Sequence, residues 1–392
     1  MNKKIIFTSL FIIIMSMILI GCGSKIENNS PPQLQGTIKV GGNFELSGQL
    51  CEFGLKGENG VKLAIKEIND KGGILGAKIE YCRVDNKSDE QESASAVAKL
   101  ADEDKVVGII GPMTNLNTLA AATVATQKEV VLITPTGTST LITVGENGLN
   151  NWLFRACFID AYQGELAAHF AYNDIKAETA ALVVDRSSEY SIRLAETFKT
   201  EFTSLGGSVV LAEEYTGGQD KDFTPIINSI KQKSPHIIFM PGFYGEAGLL
   251  VNQARMAGID LPILGGDGWG TGPIIEVAGK EALNNTYYLD HCVISDPALA
   301  DFAAAYKEEY KQDADTFSVL GYDAALLLLT AIEKAQSTDR ENIRAALESL
   351  KDFEGISGIF NIDPESHNPR KSGAVLKFID GKKVFASRIN PE

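Results

Sequence analysis

The alternation of strand-like and helix-like segments constrains the fold of this 392-residue chain more than any other feature. Short apolar runs predict strands, and segments whose apolar residues recur every three to four positions predict helices. In the first half, strands are predicted at 38–42, 79–84, 106–110 and 130–134, and helices around 61–68 and at 91–102 and 116–128. Strands linked by helices in this way run parallel, and the helices cover both faces of the sheet. The pattern therefore predicts an α/β fold.

The same alternation starts again near Trp152. Helices predicted at 163–173, 189–205, 223–233 and 246–257 separate strands predicted at 180–185, 208–215, 236–240, 262–265 and 286–289. Three helical stretches (298–311, 316–335, 340–350) then precede strand-like pieces at 358–362, 374–379 and 383–389. A chain of this length exceeds what one hydrophobic core holds comfortably. We therefore predict two doubly wound parallel-sheet lobes.

An apolar segment near the amino terminus predicts export. Lys3 and Lys4 precede an apolar run at 5–20, which Gly21 and Cys22 follow. This layout is typical of a lipoprotein signal peptide. We predict a signal at 1–21, lipidation of Cys22 and a flexible tether over 22–36, which is polar and contains proline. An uncleaved anchor helix is the alternative, but the run is shorter than the roughly 20 residues that span a bilayer.

Charge and cysteine content exclude several classes of function. The formal net charge of −15 argues against nucleic acid or an anionic membrane surface as a partner. Cys51, Cys82, Cys157 and Cys292 are widely spaced and form no C-x-x-C pair, so neither zinc nor thioredoxin-like chemistry is expected. An exported location permits disulfides without requiring them.

The sequence lacks motifs for catalysis. It contains no G-x-S-x-G, H-E-x-x-H or Walker motif, and its four histidines are not spaced as metal ligands. The glycine-rich stretch 265–270 does not complete G-x-G-x-x-G, because Thr271 or Pro273 takes the last position. We therefore expect a protein that is not an enzyme and that needs neither a metal nor a cofactor.

Loops rich in hydroxyl and amide groups follow predicted strands of both lobes. Residues 111–115 and 134–139, the latter including Thr136, follow strands of the first lobe, and Asp267 and Trp269 follow a strand of the second. Ligands of doubly wound sheets bind beyond the carboxyl ends of the strands. Hydroxyl, amide and backbone N–H groups suit a carboxylate, and a buried acid suits an ammonium group. These loops predict a ligand site, although turns attract the same residue types.

Several stretches carry a family resemblance. They are 44–48 (FELSG) with 53–54 (FG), 64–76 (AIKEINDKGGILG), 109–112 (IIGP), 133–135 (ITP), and 154–155 (FR) followed by 163–164 (QG). On these stretches the chain, from residue 38 to residue 389, resembles the class I periplasmic binding proteins, specifically the Leu/Ile/Val-binding-protein group that feeds ABC importers. The resemblance implies two lobes, joined by three crossover segments, that close over a small molecule without a chemical step.

The resemblance also implies roles for polar residues. Thr138 falls on the family threonine that holds the carboxylate and ammonium of the ligand, and Asp267 falls where an acid accepts the ammonium. Asn115 stands where the family usually has a serine that contacts the carboxylate. An amide can still donate to a carboxylate, but its different length leaves the exact ligand open. Asp267 could alternatively be an ordinary turn acid.

Aromatic positions match as well. Tyr190 and Phe243 match positions on the second lobe, and Phe53 and Phe317 match first-lobe positions that border the ligand side chain. For the three phenylalanines, ordinary core packing is the alternative.

The crossings between lobes would fall near Ala156-Cys157, His291-Cys292 and Phe360-Asn361. They would give one lobe of 37–156 plus 293–360 and another of 157–292 plus 361–392. Because the first two crossings run side by side in the family, Cys157 and Cys292 could form a disulfide, with two buried thiols as the alternative. A disulfide between Cys51 and Cys82 also stays open.

The combined prediction is an extracytoplasmic, lipid-anchored and monomeric solute-binding protein that passes an amino acid, branched-chain or otherwise apolar, to an ABC permease. Relatives of similar sequence bind amides, urea or aromatic acids, and Asp267 is the feature that favours an amino acid. A ligand-sensing receptor ectodomain is a further alternative, which would need a transmembrane helix and a signalling domain after residue 392.

If Cys22 carries the lipid, Cys22→Ala should release the protein from the membrane without unfolding it, because the tether separates the anchor from the globular part. Membrane fractionation measures this release, and thermal unfolding of the released protein is the control. Equal membrane retention of the wild type and the variant would contradict the prediction.

Overall fold

The structure is a computed structural model that describes residues 33–34, 36–271, 273–369 and 373–389. The predicted signal peptide, Cys22 and most of the tether lie outside the described residues.

The first lobe is built on a five-stranded parallel sheet. Its strands are β1 (Thr37–Phe44), β2 (Lys78–Asp85), β3 (Gly108–Ile110), β4 (Val131–Thr134) and β5 (Leu153–Arg155), in the spatial order β2-β1-β3-β4-β5. Helices α1 (Cys51–Asp70), α2 (Glu90–Asp102) and α3 (Asn115–Gln127) connect the first four strands. Strands β3 and β4 are buried along their whole length, as expected where helices cover both faces.

The second lobe begins with α4 (Asp160–His169), which a π-helical turn at Phe170–Asp174 extends. The elements that follow are β6 (Thr179–Asp185), α5 (Glu189–Ser204), β7 (Ser208–Tyr215), α6 (Thr224–Lys233), β8 (Ile237–Phe239), α7 (Tyr244–Met256), β9 (Ile263–Gly265), α8 (Pro273–Ala278) and β10 (Thr286–Asp290). Strands β6 to β10 pair in parallel. The alternation of strands and helices that the sequence predicts after Trp152 therefore forms a second doubly wound sheet.

The chain after β10 returns to the first lobe. Helices α9 (Ala300–Tyr310), α10 (Thr316–Ala335) and α11 (Arg340–Glu348) add to the hydrophobic core around β1, β3 and β4. Helices α1 and α10 approach so closely that a Cβ on Gly321 would lie 2.1 Å from the carbonyl oxygen of Gly57. Glycine at this crossing therefore sets the distance between the two helices.

Helix α10 is a core helix. It has the length and mean hydropathy of a membrane span, but 83% of its most apolar window is buried inside the lobe. It begins with a capping box in which Asp315 and Ser318 satisfy each other's backbone N–H groups. Burial on nearly every side explains why the helix is apolar all round.

The last two strands complete the second sheet. Strands β11 (Gly373–Ile379) and β12 (Lys382–Ile389) pair antiparallel, so that the sheet has the order β12-β11-β10-β9-β8-β6-β7. Two short hairpins lie outside the main sheets, Val144–Gly145 with Gly148–Leu149 and Phe353–Gly355 with Gly358–Phe360.

The predicted fold class is confirmed: the chain forms two doubly wound α/β lobes. The helices and strands predicted from periodicity recur within a few residues, except that α1, predicted around 61–68, begins already at Cys51. Strand β5 was not predicted, because three residues are too few to show a period. The antiparallel direction of β11 and β12 also lay beyond the sequence pattern.

The residue boundaries of the lobes stay a prediction. The ring of His367 stacks on Phe154 at 4.1 Å between centroids, and Asn368 accepts a hydrogen bond from the hydroxyl of Thr143. Both contacts are with residues of the first lobe, whereas the prediction assigns 361–392 to the second lobe.

Neither of the two disulfides left open by the sequence is formed among the described cysteines. Both thiols near the first two crossings are buried. The sulfur of Cys157 lies 3.3 Å from the carbonyl oxygen of Gly137, and that of Cys292 lies 3.1 Å from the hydroxyl of Thr316. For Cys157 and Cys292, the alternative given with the disulfide, two buried thiols, is therefore the one that this structure shows.

Candidate functional site

The loops predicted to bind a ligand meet between the two lobes. Loops after β3 and β4 come from the first lobe, and loops after β8 and β9 and the start of α5 come from the second. They enclose a cavity of about 30 Å³. Its described lining consists of Phe53, Met113, Thr114, Asn115, Thr136, Thr138, Tyr190, Phe243, Asp267, Gly268 and Phe317.

Eight of the nine predicted ligand residues line this cavity, and the exception is Trp269. The structure places Trp269 in the hydrophobic core of the second lobe, fully buried. A Cβ on Gly265 would meet its indole at 2.2 Å, so the ring lies flat against that strand. The side chain therefore turns away from the cavity although its neighbour Asp267 faces it.

Two buried charged side chains fix the loops of the first lobe. The carboxylate of Glu45 accepts hydrogen bonds from the backbone N–H of Met113 and from the N–H and hydroxyl of Thr114. The guanidinium of Arg155 donates to the carbonyl oxygens of Gly137 and Ser139, each at 2.7 Å. Burial lowers the pKa of Arg155. Both residues hold backbone in place; they lie in stretches that carry the family resemblance, but the sequence analysis gave neither of them a role.

Asn115 is the most heavily bonded side chain of the site. Its Oδ1 accepts hydrogen bonds from the backbone N–H of Thr138 at 2.7 Å and of Ser139 at 3.0 Å. Its Nδ2 donates to Asp160 Oδ2 at 3.0 Å and to Glu189 Oε2 at 3.1 Å. Because Glu189 begins α5, this carboxamide connects the loops of the first lobe to the second lobe.

Asp267 lies on the opposite wall in a network of its own. Its Oδ1 accepts a hydrogen bond from the hydroxyl of Tyr190 at 2.8 Å, and its Oδ2 lies 2.9 Å from Nε2 of His291. Burial would raise the pKa of Asp267, but the hydrogen bond and charge of His291, with further hydrogen bonds from Gln163 and Tyr190, lower it. The group is therefore an ionised carboxylate in a buried place, and His291 is the proton donor of the pair.

Asp160 is a buried acid that the sequence analysis missed. It begins α4 and is only 2% exposed, and its Oδ1 has no hydrogen-bond partner. Burial raises the pKa of Asp160 well above its usual value, hydrogen bonds from Thr138 and Asn115 oppose the shift, and the charges of Glu189 and Asp267 add to it. An acid in the first turn of a helix is common, so its position alone gave no signal of a site.

Aromatic rings form the apolar side of the cavity. Phe53 lies 4.7 Å from Phe317 and 5.6 Å from Phe243 between ring centroids, and Phe243 stacks on Tyr190 at 5.3 Å. Phe53 and Phe317 belong to the first lobe and Phe243 to the second, so the rings also join the lobes. The three phenylalanines thus pack in the cores, as the alternative had it, and they also line the cavity; their contact with a ligand stays a prediction.

An open groove of about 940 Å³ leads away from the cavity and shares Thr114, Asn115, Tyr190 and Phe243 with it. The described lining of the groove has Lys221 as its single basic residue. Its acidic residues are Asp89, Glu90, Asp185, Glu189 and Glu246. This charge balance attracts cationic groups towards the cavity. The described part of the chain holds no cluster of three or more His, Cys, Asp or Glu residues that could bind a metal ion.

Comparisons with known proteins give a consistent result. A sequence model of the periplasmic binding protein family matches residues 37–383. The Leu/Ile/Val-binding protein BraC3 of Rhizobium johnstonii is 29% identical over 91% of this chain and 95% of its own length.

Two solved structures are similar as well. A leucine binding protein LivK from Thermotoga maritima has a TM-score of 0.83 and 34% identity, over 91% of this chain and 99% of its own. The branched-chain amino acid transporter substrate binding protein LivJ from Streptococcus pneumoniae, in complex with isoleucine, has a TM-score of 0.85 and 34% identity, over 91% of this chain and all of its own.

The raised pKa of Asp160 predicts a pH-dependent gain from Asp160→Asn. The folded protein binds the Asp160 proton more tightly than the unfolded chain does, so stability falls as pH rises from the ordinary value of 3.8 towards the raised one. The substitution removes this loss and keeps an acceptor for Asn115. We expect the free energy of unfolding to rise by about 1 kcal/mol or more at pH 7, with little gain at pH 4.

Denaturant unfolding at the two pH values measures the difference. Asp222→Asn is the control, because hydrogen bonds from Thr224 lower the pKa of that exposed acid and its loss should not stabilise. A gain for Asp160→Asn that is equal at both pH values would contradict the explanation by ionisation.

Proposed function

The chain belongs to the periplasmic binding protein family, and we propose that it is the lipid-anchored solute-binding protein of an ABC importer for an amino acid with a branched-chain or other apolar side chain. The cavity between the lobes would enclose the ligand. The observation that carries this proposal is the pairing, in one cavity, of an ionised buried carboxylate with a wall of phenylalanine rings.

The polar half of the cavity suits an ammonium group. An amino acid enclosed between two lobes brings charges out of water, and each charge then needs a partner. Asp267 faces the cavity, is ionised and keeps lone pairs beyond those bonded to Tyr190 and His291. It is therefore the partner we assign to the ammonium.

The apolar half suits an aliphatic side chain. Phe53, Phe243 and Phe317, with Met113 beside them, offer carbon surface and no hydrogen-bonding group. The names of the similar structures, one a leucine binding protein and one in complex with isoleucine, support the same ligand class.

Binding would require the lobes to separate and close again. The space of about 30 Å³ is far below the roughly 300 to 1,000 Å³ typical of small-molecule sites. Contacts between the lobes would break on opening: Glu189 accepts from Asn115 and Ser139, and the hydroxyl of Tyr244 donates to the carbonyl oxygen of Gln49 at 3.1 Å. The conformational change that accompanies binding would thus be a hinge motion of the two lobes. We assign the membrane partner to an ABC permease, the anchor to Cys22 and the oligomeric state to a monomer.

A thermal-shift screen of all amino acids, common amides and aromatic acids tests the ligand class. A ligand that binds the folded protein raises its apparent stability by RT ln(1 + [L]/Kd), about 2.7 kcal/mol at a concentration of 100 times Kd. We expect leucine, isoleucine or valine to give the largest shift. A shift with amides or aromatic acids alone would contradict an amino-acid ligand.

Asp267→Ala should weaken binding of the best amino acid by about 30-fold or more, because truncating one member of a buried charge pair typically costs roughly 2 to 5 kcal/mol. Thr138→Ala, which loses an uncharged donor, should cost less, about 1.5 to 3 kcal/mol. Calorimetric titration measures both, and thermal unfolding checks that each variant is folded. Asp222→Ala, which removes an exposed acid of the second lobe, is the matched control. Wild-type affinity in Asp267→Ala would rule out the ammonium role.

A further inference from the structure

Two consecutive backbone N–H groups converge on one point of the cavity wall. Those of Thr138 and Ser139 both reach the oxygen of the Asn115 carboxamide, at 2.7 and 3.0 Å. Successive N–H groups with this aim form a concavity that binds anions. Helix α3 begins at Asn115 and lacks a side-chain cap, so its positive end adds to the attraction. We call this point the anion seat.

Three of the four hydroxyl donors on the described cavity wall are already engaged by protein acceptors, and the fourth, that of Thr138, lies 3.4 Å from Asn115 Oδ1 at the anion seat itself. Thr114 donates to Glu45 at 2.9 Å, Thr136 to the carbonyl oxygen of Met113 at 2.7 Å, and Tyr190 to Asp267 at 2.8 Å. Among the described lining residues of the cavity there is no lysine or arginine. The anion seat is therefore where the wall can receive a carboxylate.

The other end of the Asn115 carboxamide is engaged with acids. Its Nδ2 donates to Asp160 and to Glu189, whose side chain is 20% exposed. Asp160 is almost fully buried, and its Oδ1 has no hydrogen-bond partner. The carboxamide thus presents an acceptor to the N–H pair and a donor to two carboxyl groups. An amino acid presents a carboxylate and an ammonium in the same sense.

We propose that Asn115 is a built-in competitor of the ligand: its carboxamide occupies the anion seat and must turn out before the carboxylate of an amino acid can bind there. This inference rests on the proposed function and deepens it, because it names the residue that sets affinity for the carboxylate end. A ligand with an ammonium and no carboxylate does not need the seat. Asn115 therefore tunes how strongly the site prefers amino acids over amines.

The test compares leucine with isopentylamine, which has the same side chain and amine but no carboxylate. Asn115→Ser shortens the side chain so that it no longer reaches the seat. We expect the ratio of leucine affinity to isopentylamine affinity to rise at least tenfold in Asn115→Ser. Asn115→Asp keeps an oxygen in the seat and adds charge, so the ratio should fall below that of the wild type. Using the ratio cancels any general gain in ammonium binding when Asp160 and Glu189 lose their neutral partner.

Asn252→Ser is the matched control. It is the same substitution in α7, where it removes a hydrogen bond of 2.8 Å to the carbonyl oxygen of Ala278 outside the cavity. The ratio should not change in this variant. A ratio in Asn115→Ser that equals or falls below the wild-type ratio would overturn the proposal and make Asn115 a direct donor to the ligand.

A second measurement needs no amino acid. Nuclear magnetic resonance of protein labelled on threonine and serine nitrogen follows the N–H signals of Thr138 and Ser139, with acetate as the probe. Acetate should shift these signals in Asn115→Ser and leave them in place in the wild type. An equal response of both proteins, or none in either, would overturn the proposal. If neither the wild type nor any variant binds leucine or isopentylamine, the proposed function fails. The acetate result still decides whether Asn115 fills the seat.

Discussion

The carboxamide of Asn115 connects the two lobes at the point where the loops of both sheets meet. It satisfies two backbone N–H groups of the first lobe and two carboxyl groups, one of which begins α5 of the second lobe. A buried amide that makes all four hydrogen bonds contributes to the stability of the fold. Breaking some of them leaves buried polar groups without partners, which costs free energy. The geometry of the cavity therefore depends on this side chain more than on any ring that surrounds it.

Several acidic side chains are buried at and near the cavity. Burial, with the charges of Glu189 and Asp267, raises the pKa of Asp160. Repulsion between the carboxylates is limited in two ways. Asp160 is held towards its neutral form by burial, and Asp267 is kept ionised by His291. Two acids near the cavity therefore differ in charge state: Asp267 is ionised and Asp160 is held towards its neutral form.

Contacts between aromatic rings also hold the two lobes together. Phe53 of the first lobe contacts Phe243 and Tyr244 of the second, and these contacts bury carbon surface without directional bonds. Apolar contacts of this kind depend little on exact geometry. Directional hydrogen bonds from Asn115 and Ser139 to Glu189 also join the lobes in this structure.

The sequence by itself determined the order of the helices and strands, the doubly wound class and the loops that carry the site. Burial repeats along a helix or strand with a short period, and turn residues mark strand ends, so this information is local. Family resemblance gave seven of the cavity residues, from Phe53 to Phe317, and the composition of the loop after β4 gave Thr136. Tertiary structure alone decided that Asp160, Glu189 and His291 join them, because their partners lie far away in the chain and no local pattern records a contact between distant segments. It also decided that Trp269 turns into the core while Asp267 faces the cavity, since packing against Gly265 selects the direction of that ring.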